Sequence, residues 1–158
     1  MKSGFLSRFL LMAAMAFCLG TAVNLRADDE VTVYAKLIWA TNHSQPPDQS
    51  YQRADDQLSK DLQQAFKWKN YFVITSKEVI CEKNKKKKIE MSEQCRLQMM
   101  YLGEDMFEVV IWGKDPKSGE MKPVAKGTQK MAANQKMLLM GVSDNESGWV
   151  VKLCRHED

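Results

Sequence analysis

Residues 95–112 read CRLQMMYL, GED, MFEVVIW: two alternating runs, Cys95 to Leu102 and Met106 to Trp112, separated by Gly103-Glu104-Asp105. Alternation with a period of two is the signature of a strand, and a turn this short forces the second strand to run back beside the first. The same pattern extends outward on both sides. Tyr71 to Thr75, Lys77 to Glu82 and Lys87 to Met91 precede the hairpin, and Lys122 to Thr128, Lys136 to Ser143 and Trp149 to Cys154 follow it. The breaks carry turn chemistry: Asn84 among lysines, Asp115-Pro116-Lys117-Ser118-Gly119, and Asp144-Asn145-Glu146-Ser147-Gly148. Strands spaced by about ten residues with short connections predict an antiparallel meander or a small sandwich of about seven to eight strands.

Upstream, Val31 to Ala40 (VTVYAKLIWA) reads as another strand, with Val31, Val33, Ala35, Leu37 and Trp39 on one face. Thr41 to Ser50 contains Pro46-Pro47 and reads as a surface loop. From about Arg53 the period changes. Ala54, Leu58, Leu62, Ala65, Phe66 and Lys69 recur at spacings of three and four, which predicts one amphipathic helix of about 14 residues. Asp55 and Asp56 fall in its first turn and Lys67 and Lys69 near its end, as the helix dipole favours. The fold class is α+β with β dominant, the helix lying near the N-terminus. Trp39, Phe66, Trp68, Phe72, Phe107, Trp112 and Trp149 fall on separate elements and read as packing residues.

The first 27 residues have another purpose. Lys2 and Arg8 precede the apolar run Phe9 to Gly20 (FLLMAAMAFCLG), the layout of a signal peptide, and the run is too short to serve as a membrane span. Cleavage after Ala22 or after Ala27 fits; Ala27 is preferred because it leaves the acidic start Asp28-Asp29-Glu30. Phe17 before Cys18 speaks against a lipid anchor there. The expected address is bacterial, periplasmic or secreted, with residues 28–158 as one β-rich domain and without a stable transmembrane anchor.

Charge confirms the division of labour. The net charge of +3 arises from Lys2, Arg8 and Arg26, all ahead of the first acidic residue, Asp28; after them 20 basic residues face 20 acidic ones. The mature chain is therefore near neutral, and no global case for nucleic-acid binding remains. With 44% hydrophobic and 27% charged residues the composition is that of a globular protein rather than a disordered one.

The mature chain keeps three cysteines, Cys81, Cys95 and Cys154, as disulfide candidates in an oxidising compartment. One bond and one remaining thiol are expected, Cys81 with Cys95 first, then Cys95 with Cys154. The most unusual local feature is Lys83-Asn84-Lys85-Lys86-Lys87-Lys88, five positive charges in six residues. Such a run is most simply a solvated hairpin tip that blocks edge aggregation; its functional alternative is binding of a polyanion or anionic lipid surface through Lys83, Lys85, Lys86, Lys87 and Lys88. The methionines sit in apolar runs and read as core filler, so no metal site is expected. His43 beside Ser44 forms no recognised catalytic motif, and neither cofactor nor catalytic residues are expected.

The sequence of a signal peptide, the V-Y-A-K-L-I-W strand, a helix handing over at Phe66, Trp68, Tyr71 and Phe72, hairpins, and a closing hairpin marked by Gly148 and Trp149 resembles small exported bacterial proteins with no assigned activity. The resemblance implies layout and carries no catalytic residue across. Together these readings predict a non-catalytic binding or structural module of the cell envelope, with another envelope protein or an anionic surface as partner. An exported enzyme of unrecognised class is the remaining alternative.

Overall fold

The computed structural model describes residues 29–142 and 146–156. The signal segment, its cleavage points and Asp144-Asn145 of the last turn lie outside the described residues. In chain order the elements are β1 (Glu30–Thr41), β2 (Gln52–Arg53), α1 (Asp56–Ala65), β3 (Asn70–Glu82), β4 (Lys86–Ser92), β5 (Cys95–Gly103), β6 (Met106–Lys114), β7 (Met121–Lys130), β8 (Lys136–Val142) and β9 (Ser147–Cys154). They form two antiparallel sheets with strand orders β2-β3-β1-β9-β8 and β4-β5-β6-β7. The protein is β-dominant with a single helix among the described residues.

The four-stranded sheet is a plain meander, as the hairpin at 95–112 predicts. Gly103, Glu104 and Asp105 all have positive φ, at 93°, 53° and 63°, which folds the chain back sharply between β5 and β6. The five-stranded sheet departs from a meander: β1 lies in its centre, with β3 on one side and β9, the last strand, on the other. Val33, Ala35 and Leu37 of β1 and Val151 and Leu153 of β9 face Leu97, Met99, Phe107 and Val109 of the other sheet, and all lie in one buried core.

Two alternating runs in the sequence, Tyr71 to Thr75 and Lys77 to Glu82, are one strand with a spare residue. Leu37 pairs with Thr75 and Ile38 with Val73, so Ile74 has no partner across the ladder and forms a β-bulge. Because side chains alternate, one extra residue exchanges the faces. Tyr71 and Val73 before the bulge point to the outer side of the sheet, whereas Val79 and Cys81 after it point into the shared core. The outer side at that end is where α1 packs. Leu58 and Leu62 of the helix, with Ala54 and Trp68 from its flanks, meet Ile38, Ala40, Tyr71 and Val150 in a second core.

The helix is shorter than its periodicity suggests. It spans 10 residues; Asp55 is its N-cap, accepting from the Leu58 N–H at 2.8 Å, and Phe66 ends it in an extended conformation. Lys67 and Lys69 therefore lie beyond the helix, and no basic residue occupies its last turn. Ala54 and Phe66 fit the helical stripe because both pack on the second core, although neither is helical.

The expected disulfides are absent: Cys81, Cys95 and Cys154 are buried and none is disulfide-bonded. Cys81 and Cys95 belong to different sheets rather than neighbouring strands. Cys154 faces the outer side of the five-stranded sheet, away from Cys95 in the shared core.

Candidate functional site

A cleft of about 420 Å³ opens on the outer face of the five-stranded sheet, between α1 and the 133–135 turn. Its floor is laid down by strand register. Lys36 of β1 is directly opposite Lys152 of β9, which is opposite Leu138 of β8; one row along, Tyr34, Cys154 and Lys136 are aligned in the same way. Lys36, Lys152 and Lys136 thus come from three adjacent strands and share one face. Like charges directly opposite on a sheet are unfavourable, and Lys152 is only 2% exposed. An acidic group on α1 shares the cleft with them.

That group is Asp61. Leu58 and Leu62 anchor α1 on the sheet, and the intervening Asp61 projects into the cleft, where it forms an ion pair with Lys136 and accepts from Gln57 Nε2 at 3.0 Å. The hydrogen bond from Lys136 holds the Asp61 carboxyl below its usual range, and the charges of Lys136 and Lys152 act in the same direction. Asp55 also lines the cleft, its carboxylate committed to the helix N-terminus. Cys154, with Sγ 3.8 Å from the Tyr34 carbonyl, and His156 complete the wall. Basic side chains from three strands thus line one recess with the acidic groups of α1, a setting suited to a ligand carboxylate or phosphate.

The lysine run is elsewhere and does not converge. Lys83 is at the end of the bridge to Tyr101, with its side chain lying over Gly103, where an added Cβ would stand 2.8 Å from Lys83 Cε. Asn84 takes the left-handed conformation at φ 61°, and Lys85 is ion-paired with Glu82. Lys86, Lys87 and Lys88 belong to β4, the edge of the four-stranded sheet, so alternation directs Lys87 to the side of Ile89 and Met91 and its two neighbours to the opposite face. The charge of Lys87 is felt by Cys81 in the core.

Met91, Met99, Met131 and Met137 are buried in the shared core. Among the described residues no group of His, Cys, Asp and Glu is arranged to hold a metal ion. Likewise among them, no helix is long and apolar enough to cross a membrane. His43 lies on the loop after β1, its N–H donating to Thr41 Oγ1 at 3.1 Å.

The residues that build the cleft were not singled out by motif reading, yet a signal exists. Lys36 interrupts VYAKLIWA and Lys152 interrupts WVVKLC, each a lone charge inside an otherwise apolar strand. Only the register of β1 against β9 reveals that the two are neighbours. Comparison with protein-family models, with curated proteins and with solved structures found no match, so the cleft's meaning rests on its own geometry.

Proposed function

We propose that the protein is an exported, non-catalytic binding module of the bacterial cell envelope, and that the cleft beneath α1 receives an acidic group carried by another envelope component. The observation that carries this reading is the lining of one cleft by Lys36, Lys136 and Lys152 from three adjacent strands, with Asp61 of α1 ion-paired to Lys136 among them. Asp61 occupies the position a ligand carboxylate or phosphate would take, and acts as an internal competitor for it. The lysine run gives less support to a polyanion-binding reading, because Lys85 is already paired and Lys86 to Lys88 divide between two faces.

Thermal-shift and calorimetric titration of the mature protein with inorganic phosphate, small dicarboxylates and an oligo-glutamate peptide tests this. At least one of these is expected to stabilise the fold in a salt-sensitive manner. Lys36→Gln should weaken it roughly tenfold, the loss of one charge-assisted hydrogen bond, while Asp61→Asn should tighten it by freeing Lys136. Absence of any stabilisation, or identical affinity in Lys36→Gln, rejects the cleft. A hydrolytic turnover abolished by one cleft substitution would reject the non-catalytic assignment.

A further inference from the structure

The two sheets have four outer edges, and three of them are guarded. β3 pairs with the two-residue β2 only at Phe72 and Val73, and the rest of its free edge carries Lys77, Glu78 and Glu82. β4 carries Lys86, Lys87, Lys88 and Glu90. β7 has Lys122, Lys126 and Lys130, Pro123, and a bulge at Val124, where Ile111 pairs with Ala125 and Trp112 with Pro123. Charges, proline and bulges are the devices by which sheets prevent strangers from pairing with them.

The fourth edge, β8, has none of these. Its sequence is KMLLMGV; its one charge, Lys136, stands at the first position and is engaged by Asp61. Its ladder with β9 is regular along all seven residues, and among the described residues no strand pairs with its other side. Alternate residues of β8 therefore direct N–H and C=O groups outward along an apolar edge, and Met140 is 43% exposed beside them. A free edge of this composition is an aggregation hazard for a monomer.

We propose that β8 is a dimer interface, pairing antiparallel with β8 of a second copy across a two-fold axis at Leu139. The occupant follows from self-complementarity. Centred on Leu139, this register sets Leu138 opposite Met140 of the second copy, Met137 opposite Gly141, and each Lys136 opposite an uncharged residue. No like charges meet, and both apolar faces continue across the junction. Leu138 and Met140 share the outer face, so the pairing covers Met140. The two five-stranded sheets become one continuous sheet, and the symmetry of antiparallel pairing sets both α1 helices on the same side of it.

Sedimentation velocity and light scattering of the mature protein at micromolar concentrations are expected to give twice the monomer mass. Met140→Lys should weaken the dimer at least a hundredfold, and circular dichroism should still report a folded chain; Met140→Gln should remain dimeric. The double variant Leu138→Cys/Met140→Cys should form a disulfide-linked dimer under mild oxidant, and neither single variant should, since each new thiol faces the other position across the axis. A monomeric wild-type protein, including one that captures a strand from a different chain, overturns the proposal. A dimer that survives Met140→Lys, or that crosslinks in the single variants, overturns the β8 register.

Discussion

Gly148 shows how closely single residues are specified. A Cβ built there would stand 2.6 Å from Cη2 and 2.8 Å from Cζ2 of Trp68, whose indole lies across β9 and closes the second core. An aromatic ring wedged among Tyr71, Val150 and Phe66 has little room to retreat, so Gly148→Ala should destabilise the protein by about 1–3 kcal/mol. Urea denaturation measures this, and Gly127→Ala, where an added Cβ meets nothing within 4 Å, serves as the control. The buried thiols are a second residue-scale matter. Burial pushes Cys81 up from an ordinary 9.0 to about 11, slightly opposed by Lys87, and pushes Cys95 to about 11, with Glu90 adding to the effect. Unfolded thiols ionise first as pH rises, so the stability linked to them is intact below pH 9 and is lost between pH 9 and about 11. The urea midpoint should therefore fall from pH 8 to pH 10.5, less steeply in Cys81→Ala, and iodoacetamide should label both residues in urea but not in the folded state.

At the scale of elements, the strongest sequence signals were the ones with local causes. The β5–β6 hairpin was legible because Gly103-Glu104-Asp105 dictates its own turn, and α1 because Leu58 and Leu62 repeat at helical spacing. The end of α1 was not legible: Phe66 continues the apolar stripe by packing from an extended segment, a tertiary contact that mimics helical periodicity. The lysine run also acquires an elemental role. Lys86, Lys87 and Lys88 lie on an edge strand, the position at which charges discourage pairing with other chains. Replacing all three with Thr, which has good strand propensity, should leave the fold intact and shorten the lag before light scattering rises on gentle heating. An unchanged lag would show that the guard is dispensable.

For the whole molecule, the antiparallel β-dominant class was legible and the sheet order was not. Short connections predict neighbours, and they are right for β4 to β7; they say nothing of β1, which takes as its neighbour the last strand, more than a hundred residues away. The cleft was hidden for the same reason. Lys36 and Lys152 become neighbours only through that long-range pairing, and the division into two sheets likewise sets Cys81 and Cys95, close in sequence, in different sheets with no disulfide between them. The bulge at Ile74 also limits how the chain can change in length. The five-stranded sheet works because β3 holds one residue more than its partner, which assigns odd-numbered positions to the helix side before it and to the core after it. Losing or gaining one residue between Tyr71 and Val79 would turn half the strand inside out, whereas two would restore its parity. Related chains, wherever they occur, should thus differ by single insertions in the 42–51 and 115–119 loops, and inside β3 only by even steps.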